Sequence, residues 1–155
     1  MLADRGFEVT GIDISPAAVA WANDRAGAFA RFIVGDAVVA LPGVYDFVLD
    51  GHCLHCIIGA DRQRLLANAR DALVPRGRLF ISTMCGAITI PALRATFDPE
   101  TRCQVVDGIA RRYIGDPGDI LDELREAGFD IVRSKLRERT GDDDQDHLWA
   151  LAARR

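Results

Sequence analysis

Three short apolar runs, each closed by an aspartate, constrain this chain more than any other feature. EVTGID (residues 8–13), Phe32-Ile33-Val34 followed by Gly35-Asp36, and DFVLD (residues 46–50) are too short for helices and read as buried parallel strands. Helix signals lie between and after them. Ser15-Pro16 offers an N-cap followed by proline at the first helical position, so AAVAWANDRA continues as a helix with Val19 and Trp21 as anchors. Asp61 is placed to cap RQRLLANARDAL, in which Leu65, Leu66, Ala69 and Leu73 recur at helical spacing, and Pro75-Arg76-Gly77 stops that helix before a strand over 78–83. Strand, crossover helix, strand is the pattern of an open, mostly parallel α/β sheet with helices on both faces.

The C-terminal part differs in kind. After a looser segment (86–101), Asp107-Gly108 between two apolar pairs predicts a two-residue hairpin. Asp119 to Ala127 reads as a helix capped by Gly128. Two last strands, 131–137 and 147–152, are joined by the polar turn TGDDDQ, which is too short for a crossover helix and makes them an antiparallel hairpin. The start is abrupt. LADRG resembles the last turn of a helix closed by Gly6, so the chain is expected to open inside a βαβ unit.

With 155 residues and 49% hydrophobic content, a single domain over 1–155 is the expectation. A net charge of -4 with dispersed basic residues gives no footprint for nucleic acid or an anionic membrane. No apolar run approaches the ~20 residues of a membrane span, and the N-terminus lacks the basic region and apolar core of a secretory signal, so a cytoplasmic chain is expected. Its four cysteines, Cys53, Cys56, Cys85 and Cys103, read as thiols rather than a disulfide framework.

In open α/β sheets ligands bind outside the carboxyl ends of the strands, which brings Asp13, Asp36 and Asp50 to one crevice. Asp13, ending the earlier strand, can accept from both hydroxyls of a ribose. Asp36 can accept from the exocyclic amine of a purine while the Ala37 N–H donates to a ring nitrogen. Ile14, next to the ribose carboxylate, can lie on the purine face or belong to the core.

Together the blocks GFEVTGIDIS, FIVGDA, YDFVLDGHCLHCI, LLANARDALVPRGRLFIST, AGFDIV and DHLWALAARR resemble a class I S-adenosylmethionine-dependent methyltransferase, over essentially the whole chain. The resemblance implies a Rossmann-like fold and S-adenosyl-L-methionine as cofactor. Asp13 would hold its ribose, Ile14 its adenine face, Asp36 and Ala37 the adenine edge, and Asp50-Gly51 would pass its methionine part. The terminal hairpin would supply a strand inserted antiparallel. It also implies a first strand and glycine-rich turn ahead of Leu2, which this sequence does not contain. The expectation is therefore an intact adenosine half and an incomplete methionine half, with the gap closed by the flanking strands, by a second chain in a homodimer, or by sequence upstream.

DGHCLHCIIG places His52, Cys53, His55 and Cys56 within five residues. Zinc would need a second distant Cys/His pair, and redox C-x-x-C motifs open a helix after an earlier strand, so neither a metal nor a redox site is expected. In the resembling family this loop lies where methyl donor meets acceptor, which makes His52 or His55 the candidate general base. The segment 86–115, with Phe97, Arg102, Arg111 and Tyr113, reads as the part that shapes a pocket for a small-molecule methyl acceptor. Two rival readings stand beside this one: a fragment of an NAD(P)-binding Rossmann enzyme, and a catalytically inert binding or scaffold subunit.

Overall fold

The computed structural model describes residues 2–141 and 145–155; Met1 of the expected opening turn, and Asp142, Asp143 and Asp144 of the polar turn TGDDDQ, lie outside them. Two compact units are present, Met1–Pro42 and Gly43–Arg155. Among the described residues no helix is long and apolar enough to cross a membrane.

The first unit opens on a 3-10 turn, Ala3–Arg5, closed by Gly6 in the left-handed region (φ 84°) with its N–H on the Ala3 carbonyl at 3.0 Å. Strands β1 (Val9–Asp13) and β2 (Ala30–Val34) then pair in parallel, Asp13 opposite Val34. Gly11 stands opposite Phe32, and a Cβ there would sit 2.2 Å from the phenyl ring, so only glycine lets the ring lie across the strand. Helix α1 (Pro16–Asn23) begins as expected, the Ser15 hydroxyl accepting the Ala18 N–H at 3.2 Å. It ends before the expected Ala26. The Asn23 amide leaves the helix to accept the Phe32 N–H (2.9 Å) and donate to the Phe32 carbonyl (2.8 Å), fixing the chain to β2. Val19 is the buried anchor, but Trp21 is not: two positions on, it lies on the opposite face, 61% exposed, with the Arg25 guanidinium 4.2 Å from its ring.

The second unit carries a four-stranded sheet. Its strands are β3 (Tyr45–Gly51), β4 (Leu73–Met84), β8 (Phe129–Arg137) and β9 (His147–Arg154) in the order β3-β4-β9-β8, with β3 and β4 parallel and β9 antiparallel to both neighbours. Between them run helices α2 (Ala60–Asp71), α3 (Pro91–Arg94) and α4 (Pro117–Glu126). A separate antiparallel sheet is formed by β5 (Phe97–Asp98), β6 (Cys103–Val106) and β7 (Ile109–Tyr113). Asp107 (φ 52°) and Gly108 (φ 74°) both adopt the left-handed conformation that a two-residue hairpin of this twist demands.

Two expectations are corrected around α2. Its N-cap position is Gly59, and Asp61 sits inside the first turn, where its carboxylate accepts from Arg64 at 2.8 Å. Leu73 belongs to β4, not to the helix. The pairing jumps from Tyr45–Leu73 to Phe47–Arg78, and this irregularity absorbs Pro75, which has no N–H to give, and Arg76 at φ 64°. The core gathers under α4, whose Ile120 and Leu124, one turn apart, are fully buried together with Leu79, Ile81 and Phe129. Each such side chain contributes about 1.5–3 kcal/mol.

Candidate functional site

In the first unit the parallel pairing of β1 and β2 puts their carboxyl ends at one edge. The Gly35 N–H donates to the Asp13 carbonyl at 3.0 Å, and Asp36 follows directly. Asp13 accepts the Ser15 N–H on Oδ1 at 2.8 Å, and Asp36 accepts the Val38 N–H on Oδ1 at 2.8 Å. Each exposed carboxylate thus uses one oxygen to fix its own turn. That leaves its position set by backbone rather than by rotamer freedom. Ile14, beside Asp13, is 71% exposed and so is not a core residue. Ala37 follows Asp36 in the turn, half-buried.

In the second unit the end of β3 leads into a 3-10 turn, Leu54–Cys56. Asp50 shapes it: its carboxylate accepts the Cys53 N–H at 2.8 Å. Burial pushes the Asp50 carboxyl above its ordinary value, against the lowering effect of the Cys53 and Leu54 N–H groups and of nearby His52 and Arg62. Asp50 is therefore a half-buried carboxyl held for its geometry. Asp50→Asn is expected to keep the turn, with stability at neutral pH equal or higher, whereas Asp50→Ala should cost about 1–2 kcal/mol by leaving two N–H groups unanswered; urea unfolding of both variants reads the difference. Gly51 stands where a Cβ would meet nothing within 4 Å.

His52 adopts φ 76°, a conformation that costs a non-glycine residue energy and that concentrates at functional sites. Its N–H donates to the Ser82 carbonyl at 3.0 Å, and its Nε2 lies 3.5 Å from the Ser82 hydroxyl. His55 points the other way in exposure: it is 4% exposed, and its Nδ1 has no partner. Burial, reinforced by His52, Arg112, His147 and Arg62, drives its pKa from 6.5 to about 4. His55 is a neutral imidazole at neutral pH. The ring of His52 stands edge-on to that of His55 at 5.8 Å and to that of His147 at 4.8 Å, so the three histidines of the chain meet at one place. Sequence reasoning missed His147. It opens β9 opposite Met84, and the only signal was that the antiparallel hairpin had to return beside the strand next to β3.

Arg62, 4% exposed, donates to the carbonyls of Leu54 (2.6 Å) and Ile57 (3.3 Å), pairs with Glu123 on α4 at 2.6 Å, and lies 4.3 Å from the Tyr113 ring. Tyr113 is therefore occupied by a structural cation. Arg102 is likewise engaged, through the carbonyls of Ile114 and Gly86 (both 2.9 Å) and Asp116 (3.4 Å), with the Phe97 ring 5.9 Å away. Arg111 stays exposed. Among the described residues no group of three or more His, Cys, Asp or Glu is arranged to hold a metal ion.

A family model described as a methyltransferase domain matches residues 1–81. No curated protein matches the chain. Among solved structures, the chain is similar to an S-adenosylmethionine-dependent methyltransferase from Methanosarcina mazei (21% identity, TM-score 0.75, covering 99% of this chain and 84% of that one). It is similar to magnesium protoporphyrin IX methyltransferase from Synechocystis PCC 6803, solved with bound S-adenosylhomocysteine (23% identity, TM-score 0.76, covering 99% and 67%). A third is 1,6-didemethyltoxoflavin-N1-methyltransferase from Burkholderia thailandensis, solved with 1,6-didemethyltoxoflavin and S-adenosylhomocysteine (22% identity, TM-score 0.74, covering 98% of this chain but only 63% of that one). Likeness at this level of identity shows the fold, a Rossmann-like α/β architecture, and leaves the chemistry to be argued from the residues.

Proposed function

Because the chain belongs to the methyltransferase-domain family, we propose that it transfers a methyl group from S-adenosylmethionine to a small-molecule acceptor. The observation that carries this reading is the placement of Asp13 and Asp36 at adjacent tips of the parallel pair β1 and β2, with Ile14 exposed beside Asp13. A ribose offers two hydroxyl donors to one carboxylate, an adenine offers an amine donor to the other, and its flat face covers an isoleucine that otherwise faces water. These residues fit the adenosine part of the cofactor. In the second unit, a Cβ at Gly51 would meet nothing within 4 Å, beside the turn that Asp50 fixes.

When bound, S-adenosylmethionine supplies an electrophilic methyl carbon for in-line displacement. The chain's own residues orient the acceptor and handle its proton. His52 is the candidate base, since it is exposed and at the strand end. His55, neutral and buried, suits a hydrogen bond to the acceptor better than proton removal, because a base of pKa about 4 is far below the operating range. The acceptor class follows the similar structures named for magnesium protoporphyrin IX and 1,6-didemethyltoxoflavin, and the net charge of -4 argues against a nucleic-acid acceptor.

Calorimetry with S-adenosylhomocysteine tests the reading. Binding is expected, and Asp13→Ala should weaken it about 10- to 100-fold, the worth of a hydrogen bond to a charged group. Heat from NAD(P) in place of S-adenosylhomocysteine would favour the dinucleotide alternative, and heat from neither the inert subunit.

A further inference from the structure

We propose that Cys53 and Cys56 form a redox-active dithiol that closes to a disulfide across a single helical turn. Burial alternates in a telling way through this turn: Leu54 and His55 are buried, whereas the cysteines on either side of them are both exposed. Residues three apart eclipse each other in a 3-10 turn. Here the Cys56 N–H donates to the Cys53 carbonyl at 2.8 Å, which closes the four-residue turn. A turn closed this way keeps its end Cα atoms within about 7 Å, overlapping the roughly 4.4–6.8 Å that a disulfide spans.

The turn is also held from outside. Asp50 accepts the Cys53 N–H at 2.8 Å, and Arg62 donates to the Leu54 carbonyl at 2.6 Å and the Ile57 carbonyl at 3.3 Å. The two cysteines, both exposed and three apart on a closed turn, therefore share a backbone with little freedom to part them. The sequence argument against a redox C-x-x-C was that such motifs open a helix after an earlier strand; here the pair opens a helical turn, with Cys53 at its N-cap, but after the third strand, so the proposal rests on the geometry of the turn and not on that motif. The other two cysteines make an internal contrast, because Cys85 and Cys103 are buried.

The oxidant is a small-molecule disulfide such as oxidised glutathione. One cysteine thiolate attacks it, its S–S bond breaks, one small thiol leaves, and a mixed disulfide remains. The second thiolate attacks the protein sulfur of that bond and releases the other small thiol. Two electrons and both thiol protons end on the two small thiols, and the chain gains one S–S bond. Closure also removes the Cys56 S–H contact to the His52 carbonyl, now 3.9 Å.

The test is incubation of the native chain with oxidised glutathione, alkylation of remaining thiols and peptide mass analysis. The peptide holding both cysteines is expected to lose two hydrogens, resist alkylation and recover with dithiothreitol, while Cys85 and Cys103 alkylate only after denaturation. Cys53→Ser and Cys56→Ser should each stop at a single glutathione adduct, which shows that the partner thiol resolves it. Two stable glutathione adducts on the unaltered chain, or unmodified thiols at both positions under conditions that oxidise a control dithiol, would overturn the proposal. The readout needs no methyl transfer and stands apart from the proposed function.

Discussion

Arg62→Met should destabilise the second unit by about 2–3 kcal/mol, below the full cost of removing one partner from a buried ion pair because the Glu123 side chain keeps 25% of its surface exposed. The guanidinium is engaged through all three of its nitrogens. Nε and Nη2 fork onto the Glu123 carboxylate at 3.0 and 2.6 Å, Nη1 serves the Leu54 carbonyl at 2.6 Å and the Ile57 carbonyl at 3.3 Å, and the Tyr113 ring lies 4.3 Å away. Without it, a carboxylate whose side chain is 25% exposed and the buried Leu54 carbonyl lose their donors together. A loss of that size is a large part of the roughly 5–15 kcal/mol that stabilises an ordinary domain. It is read as a lower urea midpoint at unchanged slope. Arg62→Lys should recover little, since an ammonium cannot reproduce the planar fork. The double variant Arg62→Met/Glu123→Leu should recover much of the loss, because no buried charge remains. The exposed pairs Arg64–Asp61 and Arg125–Asp122 serve as controls worth at most about 0.5 kcal/mol. A midpoint shift for Arg62→Met no larger than theirs would show that the buried pair is dispensable.

What could be read from the sequence was local chemistry with one physical solution. Asp107-Gly108 announces a hairpin because both residues must take positive φ, Ser15-Pro16 announces a helix start, and Gly128 takes φ 94° after α4 as a cap should. The tips carrying Asp13 and Asp36 follow from the parallel strands themselves. The misreadings arose where a partner distant in sequence decided the outcome. Trp21 is apolar and helical but turns away from β1 and β2, and Leu73 continued a helical repeat until the pairing with Tyr45 took it into β4. Arg62 looked like one more polar residue on an amphipathic helix; nothing nearby signals that Glu123, 61 positions on, draws it inward. His147 joins His52 through strand register alone. No periodicity encodes that meeting.

Below neutral pH the chain should lose stability through His55. The ring titrates near 6.5 when unfolded and at about 4 when folded, because burial, with His52, Arg112, His147 and Arg62 around it, disfavours the charged form. Between those values the unfolded state binds a proton that the native state refuses, so the contribution is whole above about pH 6.5, is lost as pH falls toward about 4, and changes no further below. At 1.36 kcal/mol per unit, the full effect approaches roughly 3 kcal/mol, of which about 2 kcal/mol falls between about pH 7.5 and about pH 5. Asp50 works in the opposite sense: its raised carboxyl adds stability below the unfolded value and loses it as pH rises through the folded one. Comparison of two variants separates them. His55→Gln keeps a hydrogen-bonding side chain without a titrating ring, and should flatten the acid fall in urea midpoint, while Asp50→Asn should leave that fall in place. An equally steep fall in His55→Gln would show that the proton enters elsewhere. The His55 ring would then be no part of the acid response, and its burial beside His52 and His147 would be a matter of packing alone.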